Sequence, residues 1–177
     1  MTRRGSFGDL PGIWTAISPF FPTRVPESAE VITYEATLRQ GLFDTDAVII
    51  LACRYDEAGF RKEIDRIGQL SMTIRGGTGE TWTNTVRYDE TQYSYPAYIT
   101  IDGFGCTYEY VLADQAENGL VYVFLSYPDI RQIQFREYLK KDLTQYEAES
   151  TLTAFSMYNH SFDNGRSFAE FDDWPEK

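Results

Sequence analysis

The sequence predicts an α+β fold: a largely antiparallel sheet of about six strands, in the order β-β-α-β-β-β-β-α, with helices packed on it. Three observations lead there. Several short segments alternate apolar and polar residues with the period of two that marks half-buried strands. One segment, 56–70, carries the helical period instead. Aromatic residues make up 16% of the chain, a ring content that suits pleated, half-buried surfaces and a core of large side chains.

Residues 1–30 read as an extended, proline-rich arm packed on the domain. Pro11, Pro19, Pro22 and Pro26 interrupt any helix or central strand, because proline lacks the backbone donor and fixes φ. Ile13, Trp14, Ile17, Phe20 and Phe21 lie among them, too apolar for a solvated tail. In 31–39, Ile32, Tyr34, Ala36 and Leu38 alternate with polar residues and predict a strand with those four turned inward. A turn over 41–46 follows. Residues 47–55 are apolar on both faces, which predicts a central strand covered on each side.

Asp56 is placed to cap a helix running to about Leu70. Phe60, Ile64 and Ile67 define its buried face, with ion pairs Arg61–Asp65 and Glu63–Arg66 expected opposite. Residues 81–127 read as a meander. Trp82, Val86 and Tyr88 alternate in its first strand and Ala97, Ile99 and Ile101 in the next. A turn at 103–105 leads to a strand with Cys106, Tyr108, Tyr110 and Leu112 on one face. Asn118-Gly119 signals a hairpin, since a type I′ turn needs positive φ at both central residues. Residues 120–127 are again apolar on both faces and central.

After Pro128, the spacing of Phe135, Leu139, Leu143 and Tyr146 predicts a second helix. Residues 151–158 fit either strand or helix, and 161–177 form an acidic tail. Helix 56–70 is expected on one face of the sheet, with the arm or the second helix on the other. No repeat or linker divides the chain, so 1–177 is read as one domain, of a size that buries roughly 70% of its unfolded surface.

The net charge of -11 narrows the function classes. Gripping nucleic acid means neutralising phosphates, so no nucleic-acid partner is expected. The same repulsion argues against stable association with an anionic membrane. The charge is uneven: residues 1–25 carry three arginines against Asp9, while 142–177 carry eight acids against two bases. No leader or spanning apolar run is read, which predicts a cytoplasmic protein; a chain trimmed of its leader for export reads the same.

No motif names a chemistry, so catalytic and binding residues stay unassigned and no metal site or cofactor is expected. His160, the only histidine, sits in Asn159-His160-Ser161, a glycosylation sequon by spelling, and reads as a surface or capping residue. Cys53 and Cys106 read as buried thiols, with a disulfide between them only in an exported protein. The glycine-rich run 75–81 lacks the Lys-Ser/Thr of a phosphate loop and precedes a strand, so it reads as a flexible turn. Asp44 and Asp46 read as solvated turn residues, too few for a calcium site. Tyr88, Tyr93, Tyr95 and Tyr98 are candidates for a contact surface, weighed against strand packing. The Phe20-Phe21 pair is likewise a partner anchor or part of the packed arm.

Three functions survive, in order. First is a non-enzymatic acidic binding protein, immunity- or inhibitor-like, meeting a basic protein. Second is a small-ligand or carbohydrate cup lined by aromatics. Third is a hydrolase using a carboxylate pair.

Overall fold

The computed structural model describes residues 20–40, 45–75, 81–102, 107–126, 133–139, 141, 144–147 and 153–156. In chain order these form β1 (Ala29–Gln40), β2 (Thr45–Tyr55), α1 (Glu57–Gly68), β3 (Ser71–Arg75), β4 (Thr81–Thr85), β5 (Arg87–Asp89), β6 (Ala97–Asp102), β7 (Thr107–Asp114) and β8 (Gly119–Ser126). A 3-10 turn (Arg136–Tyr138), β9 (Thr144–Glu147) and β10 (Thr153–Ser156) follow.

The main sheet has six strands in the order β1-β2-β8-β7-β6-β5, every pair antiparallel. It joins two local units, the β1–β2 hairpin and the β5–β8 meander. The joint is the β2–β8 ladder, which runs from Ala47↔Ser126 to Arg54↔Gly119. Both strands are apolar on both faces, and both sit inside the sheet, as that pattern predicts. The other ladders are the two-stranded pairs β3–β4 and β9–β10.

Each face of the sheet carries its own core. On one, Ile49, Leu51, Cys53, Val111, Leu120, Tyr122 and Phe124 meet Phe60 and Ile67 of α1 together with Phe20 and Phe21 of the arm. On the other, Val48, Ile50, Ile99, Tyr110, Leu112, Val121 and Val123 meet Tyr93, Ile133 and Leu139. Arm and helix therefore share one face, and of the two coverings the sequence allowed for the other, arm or second helix, it is the segment of the latter, with Ile133 and Leu139, that lies there. Phe20 is fully buried and Phe21 nearly so, contributing about 1.5–3 kcal/mol each by area removed from water.

The expected second helix does not form. Residues 136–138 make a single 3-10 turn, Leu139 is already extended (φ -84, ψ 162), and 144–147 are strand. The competing principle is tertiary. Tyr110 donates its hydroxyl to the Tyr138 carbonyl at 3.0 Å, and the Lys141 N–H donates to the Gln92 carbonyl at 2.9 Å. These backbone groups bond to neighbouring elements instead of to their own helix, while Leu139 keeps its apolar contact. The segment covers the sheet as the sequence expects, without helical form.

Three further details differ. The alternating run through Tyr88 splits, because β4 pairs with β3, a strand the sequence did not suggest, while β5 joins the main sheet. β1 has a register shift between Val31 and Thr33, which leaves Ile32 half exposed at 49%. Leu38, also expected inward, is 58% exposed. Finally, Asp114 pairs with Gly119, so the hairpin loop has four residues. Asn118 alone takes positive φ (49°), and the Asp114 carboxylate accepts from the Ala116 and Glu117 N–H groups to close the turn.

Candidate functional site

The most connected group of polar side chains among the described residues lies in the seam between α1 and the sheet. Two tyrosines reach it by strand alternation: Tyr55 at the end of β2 and Tyr122 in β8 both face the helix. From α1, Glu63 and Arg66 reach down to them. The stripe of α1 on the sheet is Phe60, Glu63, Ile64 and Ile67, a spacing of three, four and seven from Phe60. Glu63 thus occupies a core-facing position, where the sequence reading put it opposite the apolar face. The signal was available, since the third residue after Phe60 shares its face.

The hydrogen bonds form one chain. The Tyr122 hydroxyl donates to Glu63 Oε1 at 2.9 Å, which leaves the Tyr55 hydroxyl to donate to Tyr122 at 2.6 Å. Arg66 closes a fork on Glu63, Nε to Oε2 at 2.9 Å and Nη2 to Oε1 at 2.7 Å. The same Nη2 donates to the Phe20 carbonyl at 2.5 Å. Four segments are held by one network: β2, β8, α1 and the arm. On the outer surface of the helix Arg61 pairs with Glu57 one turn back, where the sequence paired it with Asp65.

Burial dominates the electrostatics of the seam. It pushes the Tyr122 hydroxyl well above its ordinary 10.0, helped by the neighbouring Tyr55 and Glu63. Tyr55 also rises, chiefly through burial. Cys53, a free buried thiol on the same face, is pushed up to about 12 by burial and then by the Glu63 charge. Burial alone would lower Arg66, but the Glu63 bond and charge outweigh it and raise the group further. At neutral pH the tyrosines are neutral donors and Cys53 is a thiol, so neither type serves as an anionic nucleophile or base.

A second polar group supports the opposite face. The Asp89 carboxylate accepts from the Thr91 and Gln92 N–H groups at 2.7 and 2.9 Å, from Thr91 Oγ1 and from Gln92 Nε2. Burial raises its pKa, but these four bonds prevail and hold it below the ordinary 3.8. Glu35, buried on β1, accepts from the Gln134 N–H at 3.3 Å; burial raises it above 4.5 against the pull of the Gln134 and Phe135 N–H groups. Both carboxylates hold covering segments in place.

No family model matches the chain, and no curated protein or solved structure does either. The site must be read from its own geometry.

The four candidate tyrosines do not make one surface. Tyr88 and Tyr98 are directly opposite across β5–β6, with ring centroids 5.1 Å apart, on the helix face. Tyr93 and Tyr95 belong to the other face, where Tyr93 is buried against Tyr110 at 4.8 Å and Tyr95 is half-buried. Phe20-Phe21 is part of the packed arm, Phe21 lying 5.7 Å from the Tyr122 ring. The glycine-rich run connects two antiparallel strands, Arg75 pairing with Thr81, which is a hairpin and not the strand-to-helix entry of a phosphate cradle. Residues 76–80, Asp44, Cys106, His160, the sequon and the tail lie outside the described residues, and Asp46 is a β2 residue paired with Arg39. Among the described residues no cluster of three His, Cys, Asp or Glu is placed to hold a metal ion, and no helix is long and apolar enough to cross a membrane.

Proposed function

We propose that this is a non-enzymatic binding protein whose acidic surface meets a basic partner, in the manner of an immunity or inhibitor protein. The observation that carries the reading is the net charge of -11, with 27 acids against 16 bases. A field of that size raises the encounter rate with oppositely charged proteins and discourages anionic ones. The site geometry lends support. Glu63, Asp89 and Glu35 are bonded to internal donors, and the tyrosines of the seam stay neutral at physiological pH. These groups brace the fold, which leaves the acids outside them to act through charge. The aromatic cup draws less support, because Tyr93 and Tyr110 are closed off from solvent against each other. A cytoplasmic setting accords with the free Cys53 thiol.

The test is the salt dependence of partner capture. The immobilised chain is exposed to a panel of basic proteins between ~0.01 and ~1 M salt. The reading expects a selective partner whose affinity falls steadily as salt rises. Tight binding to that partner with no change across the range would remove the electrostatic basis of the proposal.

A further inference from the structure

One aromatic pair on the helix face stays within reach of solvent. Tyr88 and Tyr98 lie opposite each other across β5 and β6, at the β5 end of the sheet, and both are half-buried. Their ring centroids are 5.1 Å apart and the rings tilt by 59°. A single cation can therefore lie within about 6 Å of both centroids, the range over which a ring face attracts positive charge. Two exposed carboxylates flank the pair. The Tyr88 hydroxyl donates to Glu90, just past the end of β5. Asp65 of α1 lies near enough to Tyr98 for its charge to act on the phenol. Burial raises both phenols, and these carboxylates raise them further.

The end of α1 adds to the same sign. Tyr98 Cε1 is the nearest atom that a Cβ at Gly68 would meet, at 3.9 Å, and Gly68 is the last residue of the helix. A helix carries partial negative charge at that end. Arg66, the base of its last turn, is committed to the Glu63 fork and the Phe20 carbonyl. Ring faces, carboxylates and helix end thus all favour a cation at one place. We infer that Tyr88 and Tyr98, with Asp65 and Glu90, take up an arginine side chain of the basic partner. A planar guanidinium stacks on a ring and forks a carboxylate at once, whereas an ammonium is a strongly hydrated point charge. The site rests on the basic-partner reading and gives the partner's charge a point of contact.

The test is titration of the full chain with a tri-arginine peptide at ~0.01 M salt, followed by backbone nuclear magnetic resonance. Shifts should centre on residues 65, 68, 88, 90 and 98, and a tri-lysine peptide should bind more weakly. Tyr88→Leu should weaken tri-arginine about two- to fivefold, while Tyr88→Phe, which keeps the ring, should not. Glu90→Gln should weaken it as well. Glu30→Gln removes an exposed charge on β1, at the opposite end of the sheet, and should leave it unchanged. Equal affinity for the two peptides overturns the inference. So do shifts spread over other acids, a loss in Glu30→Gln equal to that in Glu90→Gln, or no binding at all. The wider basic-partner reading falls only if salt-dependent capture of a basic protein also fails.

Discussion

Tyr122 donates to Glu63 and accepts from Tyr55, so its hydroxyl is engaged in both senses inside the seam. Removing it in Tyr122→Phe leaves the Tyr55 donor and the Glu63 carboxylate each short of a partner in a buried setting. The expected loss is ~1–3 kcal/mol by urea unfolding. Tyr55→Phe removes only the terminal donor and should cost less, ~0.5–1.5 kcal/mol. A Tyr122→Phe variant as stable as the parent would mean the chain of bonds contributes nothing. Glu63 was legible in part: its helix and its bond to Arg66 follow from spacing, but its bond to Tyr122 does not. Tyr122 lies 59 residues from Glu63 along the chain and 67 from Tyr55, which it also bonds.

Helix α1 shows how local rule and tertiary contact divide. Its start was readable from Asp56, whose carboxylate accepts from the Gly59 N–H at 2.7 Å. Propensity alone says Gly59→Ala should stabilise the helix. The structure reverses that sign, because the added Cβ would sit 2.6 Å from Ser28 Oγ and 2.9 Å from Ser28 Cβ. Ser28 is fixed there by its carbonyl, which accepts from the Asp56 N–H. At Gly68 the nearest atom is 3.9 Å away, so Gly68→Ala should gain ~0.4–1 kcal/mol. Thermal unfolding of the pair should move in opposite directions; a common direction would contradict the packing argument. The second helix failed for a related reason, its backbone groups being engaged by Tyr110 and the loop at Gln92.

Across the molecule, the raised hydroxyls and thiol set an alkaline limit. Cys53 has an ordinary value of 9.0, and Tyr55, Tyr110 and Tyr122 of 10.0; all four are raised in the folded chain, burial first. The unfolded chain therefore loses these protons at lower pH than the folded one. Their contribution to stability is complete below about pH 9 and is lost as pH climbs through the folded values. The unfolding midpoint should fall steeply in that window, and phenolate absorbance of the buried tyrosines should rise together with loss of structure. Phenolate appearing near pH 10 for all tyrosines, with the fold intact, would show that the rings are not buried as described. Asp89 acts at the other end: its lowered value gives stability that is present above 3.8 and lost as pH falls.

The sequence by itself determined the alternation of β6, the two-sided apolarity of β2 and β8, the extent and cap of α1, and the acidity that shapes the proposed function. Periods of two and 3.6, capping residues and net charge are local or additive quantities, so one chain suffices to read them. Tertiary structure alone decided that β2 and β8 would join the hairpin to the meander, and that the arm would share a face with α1. It also decided that Glu63 would bond Tyr122, itself bonded to Tyr55, and that residues 136–138 would stop at one turn. These outcomes depend on which distant backbone and side-chain groups offer a better hydrogen bond or apolar contact than the local alternative. No window of the sequence contains both partners.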